Sequence, residues 1–182
     1  NAYGPNKSLA EGELAKFGIT HQLYDPMDVN DLTARITPRT RWLLINSPSN
    51  PTGASYTAAE YQALAEVLER HPGVMVMTDD IYEHIRFDGL RTPHLLEAAP
   101  QLRDRTLVIN GVSKTYAMTG WRIGWMLVPE RLRRAVDVLA GNFTLCPPTL
   151  AQYAAVAAFT PTSYAELDGH VQRYAANRAL LL

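Results

Sequence analysis

The sequence predicts an α/β fold: three layers, α/β/α, around a mostly parallel sheet. Short apolar runs alternate with longer stretches of helical period, which is the pattern of strands joined through helices. The chain has 182 residues, 47% of them hydrophobic, enough for one sizeable core. No repeat, low-complexity tract or linker interrupts it, so a single domain is expected.

The elements follow in order. Residues 7–17 read as a helix, with Leu9, Leu14 and Phe17 as packing positions. His21, Gln22, Leu23 and Tyr24 form a short strand candidate, and 28–35 a short helix with polar caps. The run Trp42, Leu43, Leu44, Ile45 predicts a buried strand over 42–46. Thr57-Ala58-Ala59-Glu60 has capping-box form, and Tyr61, Leu64, Ala65 and Leu68 then share one helical face. His71-Pro72-Gly73 ends that helix. Strands are expected at 74–78, 106–110 and 123–128, and helices at 130–140, 149–159 and 163–182. Such strands make a mostly parallel sheet covered on both faces.

Composition excludes several function classes. The net charge of −1 offers no broad attraction for nucleic acid or an anionic membrane. No apolar run approaches a membrane span, and no signal peptide is visible. The single cysteine, Cys146, forbids an internal disulfide and suits a reducing, cytoplasmic setting. Five scattered histidines lack metal-ligand spacing, so no metal is expected. Arg131, Arg133 and Arg134 read as a solvated helix face, Trp121 and Trp125 as core packing, and Tyr164 and Tyr174 as packing positions.

Three motifs carry chemistry. In residues 112–124, Lys114 follows a predicted strand, and Arg122 follows Lys114 by eight residues in a Gly-punctuated loop. That suits a lysine forming a Schiff base with an aldehyde cofactor and an arginine gripping its phosphate. The plain alternative is a solvated loop. In Asn46-Ser47-Pro48-Ser49-Asn50-Pro51-Thr52-Gly53, two X-Pro steps and a glycine force an irregular, rigid turn after a buried strand. Ligands of open α/β sheets bind at such strand ends. Asn50 can donate to a phenolate oxygen or a carboxylate there, or merely cap backbone groups. In the third, the apolar run 74–77 leads into Asp79, Asp80 and Tyr82. A carboxylate at a strand end can pair with a protonated pyridine nitrogen, and a tyrosine three residues on can meet the ring's phenolic oxygen. The alternative is a helix cap followed by an exposed aromatic.

Taken together, the three motifs resemble fold type I pyridoxal-phosphate enzymes, specifically class I aminotransferases, in order and spacing. The resemblance runs from about Asp31 to the C-terminus and is closest to bacterial aspartate and related aminotransferases. It implies pyridoxal 5'-phosphate (PLP) as cofactor and Lys114 as the Schiff-base lysine. It implies Asp79 as partner of the pyridine nitrogen, with a depressed pKa once paired, and Tyr82 and Asn50 as partners of the 3-oxygen. Arg122 is implied as a phosphate ligand, and Asp80 takes a supporting role. Gly111 departs from the pattern, since many relatives carry Ser or Thr there on the phosphate; Ser113 is the replacement candidate. The opening Asn1-Ala2-Tyr3-Gly4-Pro5-Asn6 looks more like cystathionine lyases, whose tyrosine at this place stacks on the ring, so Tyr3 is the stacking candidate.

The resemblance further implies that residues 1–182 are part of a large, cofactor-binding domain, without the N-terminal arm, the phosphate loop and the C-terminal small domain of complete relatives. The expected activity is transfer of an amino group between an L-amino acid, aspartate or a related dicarboxylic or aromatic one, and a 2-oxo acid. The expected assembly is a homodimer when complete. A PLP-dependent C–S lyase of the same fold and an aminotransferase-like sensor domain of a transcription regulator are the alternatives.

Overall fold

Apolar runs that end in polar residues or glycine line up side by side as one sheet. The computed structural model describes residues 19–20, 29–87 and 89–181. The expected helix over 7–17, the strand at 21–24 and Tyr3 lie outside the described residues. Among the described residues the sheet has five strands: β1 (Ile19–Thr20), β2 (Trp42–Asn46), β3 (Met75–Asp79), β4 (Thr106–Gly111) and β5 (Gly124–Leu127). They lie in chain order. The first three pairings are parallel, and β4 with β5 is antiparallel.

The crossovers run through α1 (Val29–Arg35), α2 (Ala58–Glu69), and α3 (Leu95–Ala98) with the 3-10 turn Pro100–Arg105. Parallel crossovers share one hand, so consecutive neighbouring strands place these helices on the same face. The core agrees. Leu43 and Ile45 of β2 and Val76 of β3 pack with Leu32, Tyr61, Leu64, Leu68, Leu95 and Leu102 from those helices. Burying a leucine as fully as Leu64 stabilises by roughly 1.5–3 kcal/mol relative to leaving it exposed. Helix α2 starts as expected: Thr57 Oγ1 accepts the Glu60 N–H at 3.2 Å, and Glu60 Oε2 accepts the Thr57 N–H at 2.7 Å.

The second face carries the alternate side chains. Met75 and Met77 of β3 point away from Val76, and the Arg131 guanidinium reaches the Met75 sulfur. Helix α4 (Glu130–Phe143) therefore begins on that second face, which makes the third layer. Helices α5 (Thr149–Ala158) and α6 (Pro161–Leu181) follow. Ala155 and Ala158 of α5 close over Val112 and Tyr116 in the segment after β4. Described residues cover this face only in part, leaving Leu44 39% exposed.

The sheet is mostly parallel, as expected, with β5 antiparallel to β4 at its edge. One expectation needs correction. Trp121 and Trp125 are 45% and 38% exposed, not core residues. Both stand on or beside β5, which has no further strand beyond it among the described residues, so the outer side of the sheet does not enclose them.

Candidate active site

Register brings the motifs to one edge. Asn46 and Asp79 are paired residues at the carboxyl ends of β2 and β3, and Ile109 of β4 is paired with Asp79. Asn46 Nδ2 donates to the Asp79 carbonyl at 3.0 Å, and the Asp80 N–H to the Ile109 carbonyl at 2.9 Å. The three strands thus stay bonded to the point where their loops diverge.

The loop after β2 turns as its prolines and glycine require. Ser47–Pro48 and Asn50–Pro51 are cis, and Gly53 takes a φ of +73°, a conformation favoured by glycine. Asn46 Oδ1 accepts the Asn50 N–H at 2.9 Å, holding the turn. The Asn50 side chain projects outward, and its Nδ2 donates to Tyr82 Oη at 3.2 Å. Two residues 32 apart in sequence thereby share one point beside the strand ends. Tyr82 also lines a cleft of about 370 Å³ with Pro48, Ser49, Arg86 and Arg178.

Asp79 is partly buried, and its Oδ1 accepts the Ile81 N–H at 3.2 Å. No cation faces it among the described residues. Burial holds its carboxyl above the usual carboxylate range; the Ile81 bond, next in size, acts the other way, and the neighbouring Asp80 charge adds the smallest upward push. The depressed pKa expected of a paired Asp79 is therefore not a property of the chain by itself. It requires a positive partner, and the site presents a carboxylate that would gain from one.

Lys114 lies on a bend directly after β4, its side chain exposed. Its neighbours are anchored: the Val112 N–H bonds the Ile123 carbonyl at 3.2 Å, and Thr115 Oγ1 donates to the Ile81 carbonyl at 3.2 Å. The Lys114 bend is thus tied to the turn that carries Asp79 and Tyr82. Arg122 has a φ of +56°, and its Nη1 donates to the Thr119 carbonyl at 2.9 Å. Its other N–H groups make no hydrogen bond among the described residues. Lys114 and Arg122 form no bond with Asp79, Asn50 or Tyr82. The departure at Gly111 has a local cause, because a Cβ there would stand 2.9 Å from the Ile123 carbonyl oxygen, where β5 crosses closely.

A group of residues that the motifs do not reveal sits behind Asp79. Asp80, Glu83, His94 and Asn110 form a connected network. Its members are 14 and 27 residues apart at their longest links, so no local spacing announces it. Glu83 would be raised by burial, but bonds from His94 and Asn110 hold it below the usual carboxylate range. Tyr164 meets Tyr116 Oη at 3.3 Å and packs at 6.2 Å between ring centres, consistent with a packing role.

The donor set fits one kind of group. A carboxylate that no cation faces among the described residues, a pair of phenolate donors, an exposed amine and a guanidinium with spare N–H groups suit a ring that carries a basic nitrogen, a phenolic oxygen, an aldehyde and a phosphate.

Comparison with known proteins points the same way. The family model for "Aminotransferase class I and II" matches residues 3–182. The chain is 57% identical over 129 residues to an aspartate aminotransferase of Rhizobium meliloti (strain 1021), covering 70% of this chain and 31% of that protein. It is 52% identical over 145 residues to a probable aspartate/prephenate aminotransferase of Rickettsia bellii, covering 80% and 34%. It is 46% identical over 151 residues to a valine–pyruvate aminotransferase of Mycobacterium tuberculosis, covering 83% and 38%. Among solved structures, the aspartate aminotransferase from Rhizobium meliloti superposes with a TM-score of 0.80 at 47% identity, over 85% of this chain and 38% of that one. The chain spans about a third of the length of these curated relatives. None of the three is named a lyase or a regulator.

Proposed function

Because the chain belongs to the class I and II aminotransferases, we propose that it carries the cofactor side of a PLP-dependent amino-group transfer between an L-amino acid and a 2-oxo acid. Class I aminotransferases use PLP. The observation that carries the reading is the Asn50–Tyr82 hydrogen bond near the half-buried carboxylate of Asp79, at the strand ends that lead to Lys114.

Bound PLP supplies an electron-poor ring that takes up the charge left when a substrate α-proton departs. The chain's own residues do the rest. Lys114 Nζ would hold the cofactor covalently and, as a free amine, would be the base that takes the substrate α-proton and the acid that returns it. Asp79 would hold the proton on the ring nitrogen, and pairing with that cation would bring its own pKa down. Tyr82 and Asn50 would hydrogen-bond the 3-oxygen, and Arg122 would offer its fork to the phosphate. Tyr3 is the candidate to stack on the ring.

Aspartate, or a related dicarboxylic or aromatic amino acid, is the proposed amino donor. Its support is the aspartate and aspartate/prephenate naming of relatives with more than half of their aligned residues identical. The intact protein is read as a homodimer, as the resemblance to class I aminotransferases implies. Its single cysteine suits a cytoplasmic setting. The test is a comparison of kcat/KM for L-aspartate with 2-oxoglutarate against L-valine with pyruvate, using the intact protein. Faster turnover of aspartate supports the reading. A preference for valine overturns the donor, and no transfer from any amino acid overturns the reaction class.

A further inference from the structure

His94 is not among the residues assigned to the cofactor, yet it binds two carboxylates that flank them. Its Nδ1 stands 3.0 Å from Asp80 Oδ2, and its Nε2 stands 2.9 Å from Glu83 Oε2. A carboxylate offers only acceptors, so an imidazole that bonds one through each nitrogen carries both protons and is a cation. The contacts continue on either side. Asp80, 2% exposed, accepts Thr78 Oγ1 at 2.6 Å through its other oxygen. Glu83 Oε1 accepts Asn110 Nδ2 at 2.6 Å, and Asn110 Oδ1 accepts the Gly111 N–H at 2.7 Å. A continuous set of bonds thus begins at the end of β3, crosses His94 ahead of α3, returns through the turn after Asp80, and ends on β4 just before the Lys114 bend.

Charge follows the same path. Asp80 adjoins Asp79 in sequence, and its charge is one of the causes that raise Asp79. The groups facing His94 are Asp80 and Glu83; His84 stands 3.6 Å from Glu83 Oε1, and Arg91 pairs with Glu97 on α3 at 2.7 Å. The bonds to Asp80 first and Glu83 second raise the imidazole to about 10, and burial opposes them without winning. Two carboxylates and one imidazolium leave one negative charge behind Asp79, where loss of the imidazolium would leave two.

We propose that His94 is a positioning residue of the cofactor site: bridging Asp80 and Glu83 as a cation, it clamps the turn that carries Asp79 and Tyr82 to the strand end that leads to Lys114, and it offsets the charge of Asp80 so that Asp79 alone meets the ring nitrogen. This rests on the PLP reading above. A rigid turn preserves the geometry in which Tyr82 and Asp79 face the ring together, and geometry of this kind is set by neighbours that lock the contacting residues.

The test compares wild-type intact protein with His94→Gln and Glu83→Gln. The readouts are the PLP dissociation constant, the pH midpoint of the bound pigment's visible absorption, and the imidazole titration of the cofactor-free protein by NMR. Glutamine at 94 removes a positive charge and at 83 a negative one. The two midpoints therefore move in opposite directions, upward for His94→Gln and downward for Glu83→Gln, by roughly half a pH unit or more. Both variants bind PLP roughly tenfold more weakly. The His94 signal in the cofactor-free wild type titrates far above its ordinary 6.5. A folded variant with wild-type affinity and midpoint, shifts of one sign, or a His94 midpoint near 6.5 overturns the proposal, whatever the variants do to thermal stability. If His94→Gln does not fold, Glu83→Gln alone decides by the direction of its shift. Wild-type protein that takes up no PLP sinks the reading of the site and this inference with it, whereas normal wild-type uptake with unmoved variants sinks this inference only.

Discussion

Asp79 shows how a residue's chemistry depends on what faces it. In the chain itself burial and Asp80 raise its carboxyl. A raised folded value means that the folded state holds its proton more tightly, so Asp79 stabilises below its ordinary 3.8 and that contribution is lost as pH rises through the folded value. A bound pyridinium reverses the sign. PLP should therefore raise the thermal midpoint of the wild type more than that of Asp79→Asn, measured at neutral pH. The same variant should lower kcat by about 10²–10³-fold, the order expected when one close charge pair is removed at an effective dielectric near that of a protein surface. Equal PLP stabilisation of both proteins would disconnect Asp79 from the ring. Tyr82→Phe removes one donor to the 3-oxygen and should weaken PLP binding by roughly tenfold. Asp79, Tyr82, Asn50, Lys114 and Arg122 are readable because each lies within a short motif beside a strand end. His94 is not, because its partners come together only through the crossover that returns α3 to the sheet.

At the level of elements, what is readable follows periodicity and capping. Helix α2 begins at the Thr57 capping box and closes at Glu69 with Arg70 as its cap, directly before His71-Pro72-Gly73, where a proline cannot continue it. Thr57→Ala should cost about 1 kcal/mol of stability, read from a urea titration. Leu64→Ala, in the middle of the buried face of α2, should cost about 2–5 kcal/mol in the same experiment. The direction of β5 is less legible. An apolar run of strand length does not state which way it pairs, and the tight return from β4 through residues 112–123 turns β5 antiparallel. That close crossing also explains Gly111, since any side chain there meets the Ile123 carbonyl. Gly111→Ala should lower stability by roughly 1–3 kcal/mol through overpacking, without the loss of chemistry that a phosphate ligand would show.

Over the whole molecule, a parallel sheet collects residues distant in sequence at one edge, and that edge is where all the readable motifs end. The His94 network gives this edge a pH signature. His94 is raised in the folded state, so its stabilisation is complete below about 6.5 and is lost as pH rises towards about 10. Glu83 is lowered, so its contribution is present above its ordinary 4.5 and is lost as pH falls through the lowered value. Urea midpoints of the wild type should therefore fall between pH 6.5 and 10, and those of His94→Gln should fall less over that span. The layered architecture was legible from alternating elements; the coverage of the second face was not, because amphipathic period marks an apolar stripe without naming its partner. Lys114 is the residue on which the cofactor chemistry turns. Intact protein and its Lys114→Ala variant would be incubated with PLP, reduced with borohydride, and mapped by peptide mass. A pyridoxyl adduct on Lys114 that disappears in the variant is the predicted result. An adduct on another lysine, retained when Lys114 is replaced, would contradict the account.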